Sequence, residues 1–166
     1  EKMSKNNKKI STFIDPFSYK KLFYEKSLKN KKKFLVNKRN SKYLIKNNVY
    51  HIYKPNQFSN LEKKSQNEYE KMHKYYDNAI DWLFNSFYEN ETKLRNKFID
   101  LLNLKKNSKV LEIGAGTGRD TKLILKRLGN KGKFFVQDIS ESMLLINKRK
   151  YNKKKTGINI NYFISS

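Results

Sequence analysis

Cysteine is absent from all 166 residues, which excludes disulfides and thiolate zinc sites and fits a reducing cytoplasm. No apolar run approaches the ~20 residues that cross a bilayer, so no membrane span is expected. The opening EKMSKNNKKIS is positively charged but has no apolar segment behind it, and does not read as a secretory signal. Histidine occurs twice, at His51 and His73. Neither has a second ligand at metal spacing, so no metal site is expected and both read as surface or structural residues. No Ser/His/Asp set can be assembled. Acidic residues are few, 15 Asp+Glu against 38 Lys+Arg, for a net charge of +23. That balance suits an anionic partner such as RNA, DNA or a charged membrane surface. Abundant Asn, Ile, Tyr and Phe, the residues supplied by A+T-rich codons, offer compositional drift as the other explanation.

The chain begins at Glu1 and stops at Ser166, right after a strand-like segment. It reads as a piece of something longer, with oligomeric state left open. Residues 1–57 read as a basic extension. Pro16 after Asp15 favours a turn, and a short helix is expected from Ser18 to Lys26. KNKKK, Lys29 to Lys33, reads as a solvated loop. Phe34–Val36, Tyr43–Ile45 and Val49–Tyr53 are short β-prone runs, and Asn47-Asn48 can take the positive φ angles of a tight hairpin. A small β-meander ending at Pro55, or an irregular extension, is expected.

Residues 58–166 change character. Ser59 and Glu62 have capping-box spacing. Leu61, Tyr69, Met72, Tyr76, Ile80, Leu83 and Phe84 then recur at helical spacing over one or two helices. Another helix is expected from Glu91 to Leu102. Beyond it KVLEIG reads as a buried strand, Thr117 or Arg119 to Leu128 as a helix, and GKFFVQD as a second strand. A Ser140-capped helix to about Tyr151 and a third strand in INYFIS complete the series. Alternation of this kind implies parallel strands with right-handed crossovers. The fold class is therefore α/β, a Rossmann-like parallel sheet of three strands with a helical lead-in. NKRKYNKKK, Asn147 to Lys155, reads as a solvated helix end or as a phosphate-contacting edge.

Glycine is scarce, six in all, yet Gly114, Gly116 and Gly118 fall within five positions of KVLEIGAGTGRD. A strand running into glycines and then a helix brings a ligand close to backbone at the carboxyl edge of a parallel sheet. A P-loop needs Lys-Ser or Lys-Thr after its last glycine, whereas Arg119-Asp120 follows here. The third glycine of a dinucleotide loop would fall at Arg119. Glu112 ahead of the loop would repel pyrophosphate and suits a ligand bearing an ammonium group. Asp138 ends the second strand, twenty residues past Gly118, where a carboxylate can accept bonds from two ribose hydroxyls. Ile139 and Met143 behind it can sandwich a purine. A ribose, a purine, a cationic amino-acid end and no phosphate describe S-adenosylmethionine.

VLEIGAGTGRDT followed by FFVQDISESML resembles the first two motifs of class I S-adenosylmethionine-dependent methyltransferases, in particular the ubiquinone/menaquinone-biosynthesis type. YYDNAIDWL, Tyr75 to Leu83, resembles the Tyr-Asp segment of that family. The resemblance covers about residues 75–164 and implies that 58–166 are the N-terminal half of the cofactor-binding domain. By this resemblance Glu112, Gly114, Ala115 and Gly116 would line the methionine and ribose side of the cofactor. Asp138 would hold the ribose, Ile139 and Met143 would flank adenine, and Tyr76 would cover the methionine end. It implies methyl transfer to a small-molecule acceptor. An RNA methyltransferase using the basic surface is one alternative; a non-catalytic module of the same fold, or a purely nucleic-acid-binding module, is the other. No general base can be named.

Overall fold

The computed structural model describes residues 9–27, 30–39, 41–54, 56–87, 90–152 and 156–165. The chain forms two compact units, divided between Tyr53 and Lys54.

In the first unit five strands follow one another: β1 (Ile10–Ile14), β2 (Lys21–Lys26), β3 (Lys33–Val36), β4 (Lys42–Lys46) and β5 (Val49–His51). Each pairs antiparallel with the next. The expected meander is present and longer than anticipated. The helix expected from Ser18 to Lys26 does not form, because Lys21–Lys26 is strand β2. Strand geometry buries Leu22 and lets the Tyr24 hydroxyl reach the Tyr50 hydroxyl at 3.0 Å. Asp15 organises the turn before it, accepting from the Phe17 and Ser18 amides and from Asn37 Nδ2. Asn47 and Asn48 take φ of 52° and 54°, as the β4–β5 hairpin requires. Pro55, Lys29 of the lysine run and Lys153 to Lys155 of the second basic run lie outside the described residues.

The second unit opens with three helices, α1 (Asn60–Met72), α2 (Tyr76–Ser86) and α3 (Glu91–Leu101). The capping box at α1 forms, with Ser59 and Glu62 bonding each other's backbone amides. Then come β6 (Lys109–Glu112), α4 (Arg119–Arg127), β7 (Lys133–Asp138), α5 (Glu141–Lys150) and β8 (Ile160–Ile164). Strand β7 lies between β6 and β8, parallel to both. The α/β reading holds in this unit. Over the described residues, however, the strands number eight rather than a parallel three plus a small extension, and five of them are antiparallel.

Phe134, Val136, Ile164, Leu123, Met143 and Leu144 are buried where α4 and α5 cover the strands. Helices α1 and α2 bury no residue completely. Their apolar positions follow helical spacing, yet Leu61, Met72, Trp82 and Leu83 are exposed. In α2 a half-buried stripe of Tyr76, Ile80 and Phe84 faces the protein, and polar groups add to what holds both helices. No helix among the described residues is long and apolar enough to cross a membrane.

Candidate functional site

Strand β6 delivers the chain into the glycine loop, where Gly114, Gly116 and Gly118 have φ of 65°, 51° and 96°. Side chains rarely adopt such angles, which explains the clustering of a scarce residue. Three successive loop amides are spent on the end of β7. Gly114 N–H donates to Gln137 Oε1 at 3.1 Å, Ala115 N–H to the Gln137 carbonyl at 2.9 Å, and Gly116 N–H to Asp138 Oδ2 at 2.7 Å. The loop is thus pinned by the neighbouring strand, and these amides do not form an anion cradle.

Asp138 sits at the floor of the site. Its second oxygen accepts from the Ser140 amide at 2.9 Å, so each carboxylate oxygen holds one backbone N–H and keeps further acceptor capacity. Burial pushes its pKa above the ordinary value, against the opposing pull of the Ser140 and Gly116 amides. A cavity of about 260 Å³ opens beside it. Six residues expected from the sequence meet there: Tyr76, Gly114, Gly116, Asp138, Ile139 and Met143. Glu112 and Ala115 do not line it. Glu112 is buried and accepts from Thr121 Oγ1 of α4 at 2.6 Å. Burial raises its pKa to about 7, with the Thr121 bond opposing. Ala115 is buried on the loop.

The remaining walls come from Ile113, Gln137, Ser165 and two residues of α1, Glu62 and Tyr69. Their signals were present but read otherwise. Glu62 passed as a helix cap, and Gln137 was a polar residue in an apolar strand. Nothing local marks Tyr69 as facing residues seventy positions away. Helix α1 is fixed over the site by Gln66 Nε2, which donates to the Ile139 carbonyl at 2.7 Å. Glu70 adds bonds from the Ser140 hydroxyl and the Ser142 amide. Tyr69 meets Tyr76 of α2 edge to face, with centroids 6.4 Å apart.

A polar cluster lies behind the loop. Arg119 bonds Glu91 at the start of α3 and both Asp77 and Asp81 of α2. Arg95 joins Glu91 to Asp120. Asp77 also accepts from Thr117 Oγ1 at 2.5 Å and from Lys150 Nζ at 2.6 Å. Lys150 belongs to the basic run read as a solvated helix end or phosphate edge, and it is committed here to a carboxylate. Arg119 had been informative only as the residue replacing a third dinucleotide glycine; its charge is the centre of this network. His73 Nδ1 lies 2.6 Å from the Glu70 carbonyl. Among the described residues, no group of three His, Asp or Glu side chains could hold a metal ion.

Residues 58–166 match the model of the ubiE/COQ5 methyltransferase family. No curated protein gives a significant match. Among solved structures, an arsenic(III) S-adenosylmethionine methyltransferase from Chlamydomonas reinhardtii is similar at 25% identity and a TM-score of 0.32. The alignment covers 37% of this chain and 22% of that one. The family match spans the loop, Asp138 and the helices that roof them, and on it the chain belongs to the ubiE/COQ5 methyltransferase family, class I enzymes whose cofactor is S-adenosylmethionine.

Proposed function

We propose that the chain binds S-adenosylmethionine in the cavity beside Asp138 and directs its methyl group to a small-molecule acceptor. One observation carries this reading. In a chain of net charge +23, the described residues lining the cavity include two carboxylates, Glu62 and Asp138, and no lysine or arginine. Such a lining favours a cationic ligand and disfavours a polyphosphate. The occupied loop amides point the same way. The fit extends to shape: a Cβ added at Gly114, which lines the cavity, would meet nothing within 4 Å, so the space beside the loop is open there.

Asp138 has the acceptor capacity to take two ribose hydroxyls. Ile139 and Met143 offer apolar flanks to a purine, and Tyr76 covers the opposite end. Gly114 and Gly116 allow close approach, with Ala115 between them. Glu112 supports the loop from beneath through Thr121. When bound, S-adenosylmethionine supplies a methyl group already activated by its sulfonium. The protein's part is then orientation, which can save roughly 7–11 kcal/mol when reactants are held in an attack geometry. In this reading residues 58–166 carry the methyltransferase function, residues 1–57 are a basic extension, and the cysteine-free chain works in the cytoplasm.

The test is equilibrium titration of the full chain with labelled S-adenosylmethionine. Loss of two charge-assisted bonds in Asp138→Ala, about 3 kcal/mol or more, weakens binding roughly 100-fold or more, with folding followed by thermal melting. Absence of binding by the wild-type chain, or equal binding by a folded Asp138→Ala variant, rejects the reading.

A further inference from the structure

Tyr76 and Asp77 are adjacent at the start of α2 but serve opposite sides of the glycine loop. Tyr76 lines the cavity, its Cε1 4.0 Å from where a Cβ on Gly116 would stand. Asp77 turns away from it to Thr117, Lys150 and Arg119. Thr117 is buried between Gly116 and Gly118, so the bond to its hydroxyl joins α2 directly to the loop. Arg119 repeats the connection one turn later through Asp81.

Apolar burial gives α2 only partial anchorage: Tyr76, Ile80 and Phe84 are half-buried, none of its residues is fully buried, and Trp82 is 69% exposed. A helix held by a few charge-assisted bonds over a well-packed sheet belongs to the low-stability end of a fold. Burial works against ionisation of Asp77, but Lys150, Thr117 and Arg119 outweigh it and hold its pKa below the ordinary value. The carboxylate is therefore charged across the neutral range.

We propose that Asp77 is a positioning residue for this site, latching α2 and with it Tyr76 onto the glycine loop, so that the latch sets how tightly the cavity holds its ligand. Asp77 acts through Tyr76 and Thr117 and lies outside the cavity lining. The proposal rests on the reading that the cavity binds S-adenosylmethionine. Its first test is independent of that reading.

Hydrogen exchange of the full chain, without ligand, compares the amides of residues 76–86 with those of 133–138. In Asp77→Asn the α2 amides exchange roughly tenfold faster while the β7 amides keep their rates. Affinity for labelled S-adenosylmethionine falls by a similar factor, and Asp77→Glu recovers most of both losses. Unchanged α2 exchange, or parallel acceleration of α2 and β7, overturns the latch; so does a loss of affinity without faster α2 exchange. An unchanged affinity alongside selectively faster α2 exchange overturns its link to the site. A wild-type chain that binds no S-adenosylmethionine rejects the functional reading and with it that link, while exchange still decides the latch. If Asp77→Asn does not fold, raising salt on the wild type to about 1 M, where the Debye length is ~3 Å, accelerates α2 selectively. Uniform exchange across that range overturns the proposal.

Discussion

Gly118→Ala is the substitution whose cost the structure determines most fully. Gly118 has φ of 96° at the N-cap of α4. An added Cβ would stand 2.7 Å from Tyr151 Cε2 and 2.8 Å from Asn147 Cγ. Asn147 cannot swing aside cheaply, because it is fully buried, donates to Thr121 Oγ1 at 2.8 Å and lies 3.4 Å from the Tyr162 hydroxyl. Left-handed backbone costs a non-glycine residue roughly 1–2 kcal/mol, and forcing extra volume into a packed site costs roughly 1–3 kcal/mol more. The sum, about 2–5 kcal/mol, lowers the melting temperature of a unit this size by roughly 8–20 °C. Gly114→Ala is the control, with φ of 65° and no atom near the new Cβ. It bears the backbone term alone, so its stability loss is about 1–2 kcal/mol. Urea unfolding followed by circular dichroism separates the two. If Gly118→Ala loses no more stability than Gly114→Ala, the packing argument is wrong.

Two further outcomes extend the Asp138 and Asp77 tests. Burial raises the Glu112 pKa from 4.5 to about 7, so its contribution to stability is whole below pH 4.5 and lost as pH rises through 7. Glu112→Gln removes that slope and makes the chain more stable than wild type at pH 8, by up to on the order of 3 kcal/mol. Matching pH profiles in urea unfolding would falsify this. If the charge of +23 draws RNA non-specifically through its phosphates, log affinity falls against log salt. Under the small-molecule reading, labelled methyl groups do not appear in that RNA; label recovered in RNA transfers the acceptor assignment.

The part of the fold from Lys109 to Ile164 was legible because its signals are local. A buried strand, glycines at alternate positions, Ser140 as a cap and a second strand ending in Asp138 each announce themselves within a few residues. Those signals also bring most of the cavity lining together. The stretch from Ser18 to Lys26 was misread because its apolar residues fit either period over so short a span. Its strand geometry is decided by partners elsewhere, Tyr50 across the meander and the pairing with β3. The roof was missed for the same reason. Gln66 and Glu70 look like solvent-facing residues of an amphipathic helix, and their bonds to Ile139, Ser140 and Ser142 depend on how α1 docks. Glu112 shows the limit of a motif: its position was correctly noted, but its carboxylate turns inward to Thr121 rather than toward the cavity.

Gln137 has a consequence of its own. Its side-chain oxygen receives the Gly114 amide, and its nitrogen donates to the Ser165 carbonyl at 2.6 Å. One planar amide therefore spans from the loop after β6 to the chain leaving β8, reading a donor on one side and an acceptor on the other. Glutamate has the same outline but can only accept when ionised, so it would set a negative oxygen against a carbonyl. Leucine would fill the volume and satisfy neither end. Glutamine at this position is a two-sided tie that fastens the loop after β6 to the chain leaving β8 across the end of the strand between them, so the two segments at the edge of the cavity hold their places together.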